Sequence, residues 1–465
     1  MTETIPALAA KLRALVGGTQ VITEGDSLVS MSRDYYWYSP SLRAQLDPVR
    51  ADIVVRPGTM EELRGVIAAC FAAGVAVTPR GAGTGNYGQC MPIHGGVVID
   101  CGRLDRIHSV DGGVVRAEPG ARLGMIETVA RAAGWELRCY PSTWMKSTLA
   151  GFFGGGAGGI GGVRWGGIAS VDTVKSITIM SCEAEPRVIR HEGAEAMVAL
   201  RTFGTTGYVV EIEMRLAPKI DYDQLAFSSP DWDALLDWMD AALRNGAWRK
   251  RVGSQFQWPI PSYFKPLKNV VREGEHLGFL LTDRAQTAEV LASAEAAGLA
   301  CVYNRVLADP PRPPFLSDFT YNHTTLWAMK TEPAYTYVQA GFGDDFRGQI
   351  KRWLAKFPGE VLMHLEWGAR DPERVVGPQA VPEAMGVGAI PLIKYSTEER
   401  FREVIEHANE LGISVGKTHT VHLTEGSEAQ AAARRALKHA VDPRGLMNPG
   451  KLASFPLNPF AATRG

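Results

Sequence analysis

The chain has 465 residues, 45% hydrophobic and 21% charged, a globular composition that excludes a wholly disordered protein and has length for about three domains. Lys plus Arg number 49 and Asp plus Glu 50, so a formal net charge of −1 offers no electrostatic reason for a nucleic-acid or anionic-membrane partner. Glycine is the unusual count, 50 residues or about 11% against a usual ~7%, and it is clustered.

Residues 1–45 read as an N-terminal segment. They lack a basic stretch followed by an apolar core, so no secretory signal is read there. No apolar run reaches the ~18 residues that a membrane helix needs, and a cytoplasmic protein is expected. The six cysteines, Cys70, Cys90, Cys101, Cys139, Cys182 and Cys301, include no Cys-x-x-Cys pair, and no structural disulfide is expected.

Residues 46–219 form the glycine-rich part, with short strands and intervening helices. A strand is predicted over 53–56, and Thr59 with Glu62 forms a capping box that opens a helix ending at Gly74. Strands follow over 75–78, 97–100, 114–117, 174–180 and 208–216, with a helix over 123–133 that ends at Gly134. Glycine thins out beyond residue 219, and 220–430 reads as an αβ domain. Its helices are predicted over 232–244, 284–297, 344–357 and 397–411, and its strands over 277–281, 335–340, 361–366 and 389–395. Residues 309–314 are a proline-rich loop. A C-terminal segment, 431–465, contains the end of a last helix predicted over 428–439 and then the turn Asp442-Pro443-Arg444-Gly445. No internal repeat is visible.

Two glycine loops carry the chemistry. The first, Pro79-Arg80-Gly81-Ala82-Gly83-Thr84-Gly85, follows a strand, but Tyr87, Gly88, Pro92 and Gly95-Gly96 leave no room for a helix to start. A dinucleotide fingerprint of the Rossmann type needs that helix, so this reading fails. Successive glycines can still turn several backbone N–H groups toward one anion, with Arg80 adding charge beside them. The same glycines also suit an ordinary tight turn. In the second loop, ten of the seventeen residues from Gly151 to Gly167 are glycine, interrupted by Phe152, Phe153, Ile160, Val163 and Trp165. A flexible linker would be serine-rich and poor in apolar residues, so backbone packed against a flat ligand or another chain segment is the better reading.

These stretches together resemble the FAD-binding domain of the vanillyl-alcohol oxidase and p-cresol methylhydroxylase flavoproteins. The resemblance runs from Val55-Arg56-Pro57-Gly58-Thr59 through the first loop, Tyr140-Pro141, Ser147-Thr148-Leu149-Ala150-Gly151 and the glycine run to Gly204-Thr205-Thr206-Gly207-Tyr208-Val209-Val210-Glu211. Asp442-Pro443-Arg444-Gly445-Leu446-Met447-Asn448-Pro449-Gly450-Lys451 resembles the segment that returns to the flavin. The resemblance implies an α+β protein: a two-subdomain FAD-binding domain and an αβ, ferredoxin-like substrate cap. It implies FAD contacts at Pro79, Arg80, Gly81, Ala82, Gly83, Thr84, Gly85, Gln89, Pro141, Ser147 and Thr148. It extends them to Gly151, Gly154, Gly155, Gly158, Gly161, Gly207, Val209, Asn448 and Lys451. Thr84 stands where some members carry a flavin-linked histidine, so non-covalent FAD is expected at this loop, with a bond from the cap left open.

The cap is most similar to that of glycolate, D-lactate and D-2-hydroxyglutarate dehydrogenases. Their His-x-Gly-Asp-Gly-Asn metal segment is only distantly echoed by His364-Leu365-Glu366-Trp367-Gly368, and Thr418-His419 stands where they have Glu-His. A carboxylate metal ligand is therefore missing, and no metal is assigned. His419 matches the position that faces substrate and is the expected base. His422 suits a surface site equally well. His364 and Glu366 alternate along a strand and face one side, which makes them candidates for the site, His364 as a catalytic group and Glu366 toward substrate, if that side is inward, and an ordinary solvated face if it is outward. In the cluster Tyr321-Asn322-His323-Thr324-Thr325, His323 and Asn322 are candidates for the site, and Lys330 for holding a carboxylate; an exposed loop is the alternative. Trp144, Trp165, Trp258, Trp327 and Trp367 flank these motifs and suit core packing or an apolar substrate.

The combined expectation is an FAD-dependent oxidoreductase acting on a small CH–OH donor such as a 2-hydroxy acid. A phenolic or other alcohol oxidised without metal is the alternative, and a non-catalytic flavin or nucleotide binder is the alternative of another class. Oxygen, a quinone or a protein is left open as electron acceptor, as is a homo-oligomeric state.

Overall fold

In a computed structural model that describes residues 4–170, 172–369, 385–416, 419–453 and 455, the predicted helix Met60–Ala73 shows how directly local chemistry sets the frame. Thr59 Oγ1 accepts from the Glu62 N–H, and Gly74 closes the helix in the left-handed region at φ +69°. Glu62 reaches back to the N–H of Gly58 at 2.6 Å rather than to that of Thr59. The helix buries Leu63, Val66, Ile67 and Cys70 against Leu8, Leu12 and Val16 of the N-terminal helix Ile5–Val16. The N-terminal segment is therefore packed and partly helical, with further helices Gly25–Met31 and Pro40–Leu46.

The first subdomain is a four-stranded sheet in the order Val21–Ile22, Ile53–Val55, Val97–Asp100, Val77–Arg80, the last three parallel. Val77–Arg80 is the edge strand, and the C-terminal segment adds to it: Val77 N–H donates to Leu446 O at 2.8 Å, and Asn448 N–H to Val77 O at 2.7 Å. The second subdomain is an antiparallel sheet around the long strand Tyr208–Pro218, flanked by Val114–Ala117 and Ile107–Asp111 on one side and Val174–Met180 and Val188–Glu192 on the other. Of these, 107–111 and 188–192 were not predicted; both are short and half exposed.

The cap corrects the sequence reading most. Strands Tyr222–Ser229, Lys250–Phe256 and Ala300–Val306 escaped it. The first two are buried at every position yet carry Asp223, Gln224, Lys250, Arg251 and Gln255, so neither alternation nor an apolar run betrays them. Residues 335–340, 361–366 and 389–395, each read as one strand, are each divided between two sheets. With helix Trp232–Arg244 and helix Thr287–Ala296, the strands 222–229, 250–256, 276–283 and 300–306 make a β-α-β-β-α-β unit in spatial order 4-1-3-2. Strands Ala340–Gly341, His364–Ala369, Met385–Ala389 and Ser414–Val415, with helices Phe346–Lys356 and Glu398–Glu410, repeat that order. The two halves join through the pair 250–256 and 364–369 into one eight-stranded sheet. This is an internal repeat of structure that sequence periodicity did not reveal.

A buried ionic network ties the cap to the second subdomain. Arg251 meets Glu127 at 3.3 Å and Glu136 at 2.9 Å, and Arg131 meets Glu136 at 3.1 Å and Asp309 at 2.9 Å. Arg251 also donates to Leu137 O at 2.9 Å, and Tyr222 Oη to Glu136 at 2.7 Å. Charges this buried persist only when paired and hydrogen-bonded, and these are.

Candidate functional site

The two subdomains enclose a cleft of about 1130 Å³, part of it open to solvent. Its floor begins where the edge strand Val77–Arg80 ends, so the loop 81–85 is presented at the lip of a parallel sheet. None of the five backbone N–H groups of residues 81–85 has an acceptor among the described residues. Four of the five residues are half-buried and Ala82 is exposed; half-buried N–H groups are seldom left unpaired, and a row of them is a cradle for an anion. Gly81 is required by contact, because a side-chain carbon there would collide with Thr148 Oγ1. Arg80 lines the same loop but is held from behind, donating to Arg33 O at 2.7 Å and to Cys90 Sγ at 3.3 Å.

The second wall is the helix Leu149–Gly155, missed by sequence because three of its seven residues are glycine. Thr148 Oγ1 caps it by accepting from Gly151 N–H at 3.2 Å. A side-chain carbon built at Gly154 or Gly155 meets nothing within 4 Å, so both face open cleft. Gly161, by contrast, is turned away: a side chain there would strike Arg138 O, and its N–H donates to Arg251 O at 2.8 Å. The glycine run thus packs against chain at one end and faces a ligand-sized space at the other. Gly158 has free space beside it but does not line the cleft. Pro141, Ser147, Gln89, Gly207 and Val209 also line it. Thr84 Oγ1 lies 3.1 Å from Ser147 Oγ, which lies 2.7 Å from Thr143 Oγ1, a chain of hydroxyls along one side.

Sequence reasoning missed Cys90, Cys101, Pro119, Thr143 and, just before the motif 204–211, Ala199, Thr202 and Phe203 of the lining. Phe203, at φ +52°, is a strained non-glycine residue whose N–H donates to Gly154 O at 3.2 Å. Nothing in local sequence marks such a residue. Asn448 and Lys451 sit behind the cleft rather than in it. Asn448 Nδ2 donates to Gln89 O at 2.9 Å and Phe203 O at 2.6 Å, stapling two lining loops together. Lys451 is fully buried and donates to Gly88 O. Burial draws its ammonium down to about 8 and pushes the nearby Asp34 carboxyl up to about 6.

The candidate substrate residues do not line the cleft; several gather just beyond it. Asn86, next after Gly85, donates through Nδ2 to Tyr337 Oη at 3.0 Å, and Asn322 Nδ2 donates to the same oxygen at 3.1 Å. Burial pushes the Tyr337 phenol up to about 12. His419, at φ +59°, lies 2.6 Å through Nε2 from Tyr337 O and packs against the rings of Tyr87, Tyr337 and Phe401. A carbonyl can only accept, so Nε2 carries the proton and Nδ1 is a bare acceptor, without a partner among the described residues. Burial lowers this imidazole to about 4 and His323 likewise to about 4, so both are neutral near pH 7. Lys417 and Thr418 lie outside the described residues.

The other candidates are committed elsewhere. His364 Nε2 lies 2.7 Å from Glu366 Oε1, and the two share a side as the alternation required. Glu366 also accepts from Ser254 Oγ at 2.6 Å and from Tyr321 N–H at 2.8 Å, which fills its carboxylate. Lys330 is exposed, its ammonium 3.9 Å from the Trp327 ring centre. Asn322 and His323 lie in the helix Asn322–Met329, not in an exposed loop. Among the described residues, no three His, Cys, Asp or Glu side chains converge as a metal site, and no helix is long and apolar enough to cross a membrane.

The cleft has the features that a dinucleotide needs: unpaired N–H groups for a diphosphate and a glycine wall that a flat group can approach. Comparison with known proteins agrees. Residues 51–189 match the family model described as an FAD binding domain. An uncharacterized FAD-linked oxidoreductase of Mycobacterium tuberculosis is 25% identical over 251 residues, covering 51% of this chain and 52% of that protein. The chain therefore spans about half the length of this relative. A D-2-hydroxyglutarate dehydrogenase of Stutzerimonas stutzeri is 22% identical over 97% of this chain and 99% of its own. Among solved structures, an alkyldihydroxyacetonephosphate synthase shares the fold with a TM-score of 0.69 at 13% identity, covering 96% of this chain and 86% of that one.

Proposed function

This chain is a member of the FAD-binding vanillyl-alcohol oxidase and p-cresol methylhydroxylase flavoproteins, and from that premise we propose that it is an FAD-dependent oxidoreductase acting on a CH–OH donor. Bound flavin supplies the two-electron acceptor for a hydride from carbon. The protein supplies the rest. The N–H groups of residues 81–85 hold the diphosphate, and Gly154 and Gly155 let the backbone come close to the cofactor. The hydroxyls of Thr84, Ser147 and Thr143 satisfy polar groups along one side, with FAD held non-covalently at Thr84.

Substrate lies beyond Gly85, between the cleft and the cap. There His419 is the base: its Nε2–H is fixed on Tyr337 O, so Nδ1 is left to take the hydroxyl proton while the C–H bond is broken. Asn86 and Asn322 orient the Tyr337 phenol at the same place. A 2-hydroxy acid is the first substrate class, supported by the full-length likeness to a D-2-hydroxyglutarate dehydrogenase. The phenols, amides and rings around Tyr337 favour a second class, a phenolic or other aromatic alcohol.

The observation that carries the reading is the row of unpartnered N–H groups opposite a glycine wall with open space before it. The test is anaerobic mixing of purified, FAD-loaded protein with a panel of 2-hydroxy acids and aromatic alcohols. Bleaching of the flavin by one class identifies the donor. Protein that binds FAD but stays oxidised across both classes leaves a flavin binder without turnover and refutes the proposal.

A further inference from the structure

Tyr321 is out of place by every local rule. It is a bulky residue with φ +51° and ψ −139°, a conformation that costs an L-residue energy and survives only where its surroundings enforce it. The enforcing contacts reach in two directions. On the cap side, the Tyr321 N–H donates to Glu366 Oε1 at 2.8 Å, and that oxygen is shared with His364 Nε2 at 2.7 Å. Glu366 is itself fixed by Ser254, which pairs with it across neighbouring strands and donates from Oγ at 2.6 Å. On the other side, Tyr321 Oη donates to Gly159 O at 2.6 Å, in the glycine run. Gly159 tolerates no side chain, because one would strike Tyr140 O, and it stands two residues past Ala157, which lines the cleft.

We propose that Tyr321 is a positioning residue for the cofactor: the cap uses it to clamp Gly159, and so sets where Gly154, Gly155 and Ala157 stand against FAD. The His364–Glu366–Ser254 set, which touches neither cofactor nor substrate, is the buried brace that holds Tyr321 in its strained conformation. The inference rests on the FAD reading above. It assigns the polar pair 364 and 366 a role through the cofactor wall, in place of contact with substrate.

The test titrates FAD into full-length apoprotein of the wild type and of Tyr321→Phe, reading the dissociation constant and the visible spectrum of the bound flavin. Loss of one hydrogen bond to a backbone carbonyl is expected to weaken FAD binding by about three- to tenfold. The bound flavin's visible band should shift while the apoprotein's unfolding midpoint stays close to wild type; a merely structural residue would move the midpoint and leave the spectrum alone. Glu366→Gln, which keeps the volume and removes the charge of the acceptor, should move affinity and spectrum in the same direction. It carries the same expectation and refutation if Tyr321→Phe does not fold. Folded variants with wild-type affinity and spectrum overturn the proposal. A wild-type protein that takes up no FAD overturns the flavoprotein reading, and this inference with it.

Discussion

Gly154→Leu separates a ligand cleft from an accidental hollow more sharply than any other single change. Gly154 lies in the helix Leu149–Gly155 with ordinary helical φ, and nothing stands within 4 Å of where its side chain would begin. In the apoprotein the substitution is therefore free of clash, and replacing helical glycine by leucine adds up to ~0.8 kcal/mol of helix propensity. In the loaded protein the same side chain occupies the cofactor's place. A ligand at a hundred times its dissociation constant stabilises the folded state by ~2.7 kcal/mol. If the substitution weakens binding at least about a hundredfold, that gain falls to ~0.4 kcal/mol or less at the same FAD concentration. The assay is the unfolding midpoint with and without FAD. Wild type should shift strongly on adding FAD, while the variant should start as high or higher and scarcely shift. A variant that is stabilised by FAD as much as wild type would show that the cofactor does not lie against this wall.

Four further expectations can be checked independently. Acid precipitation of the loaded protein should leave the flavin in the supernatant, because Thr84 offers no ring nitrogen to bond; colour retained in the pellet would contradict non-covalent binding. His419→Asn should keep FAD but slow flavin reduction by about 10²- to 10⁴-fold, and an unchanged rate would remove it as the base. His419 and His323 are both held near 4 by burial against an ordinary 6.5, so the unfolded chain binds more protons between those values. Stability should accordingly be full above about pH 6.5 and decline as pH falls toward 4, and a pH-independent unfolding midpoint across that window would refute it. Arg251→Met strands Glu127 and Glu136 in the core and should cost ~3–5 kcal/mol in a denaturant titration; a loss under about 1 kcal/mol would mean the network is already hydrated.

What could be read from the chain was what local chemistry encodes. Thr59 and Gly74 bracket their helix because a hydroxyl cap and a left-handed glycine act within a turn, and Trp232–Arg244 was legible residue for residue from its amphipathic face. The loop 79–85 was legible as a turn after a strand with no helix behind it; its glycines suit an ordinary tight turn equally well, and the FAD reading came from the resemblance of the whole series of motifs. Long-range pairing was not legible. Tyr222–Ser229 and Lys250–Phe256 hide their strands because both faces are covered: buried Asp223 and Arg251 find partners far along the chain, and Lys250 is held by the carbonyls of Ala242 and Leu243 at the end of the preceding helix. His364 and Glu366 were correctly placed on one face, but Ser254 and Tyr321, which occupy that carboxylate, are 112 and 45 residues away. Tyr337 carried no sequence signal at all; only the fold brings Asn86 and Asn322 to its oxygen.

The central claim is that residues 81–85 and the helix Leu149–Gly155 enclose FAD. Equilibrium titration of the full-length apoprotein with FAD tests it most directly, with Gly154→Leu as the matched control. The account predicts one FAD per chain, a flavin spectrum in the wild type, and little or no uptake by the control. A folded wild-type chain that takes up no FAD at saturating concentration, or a control that binds as well as wild type, would contradict it.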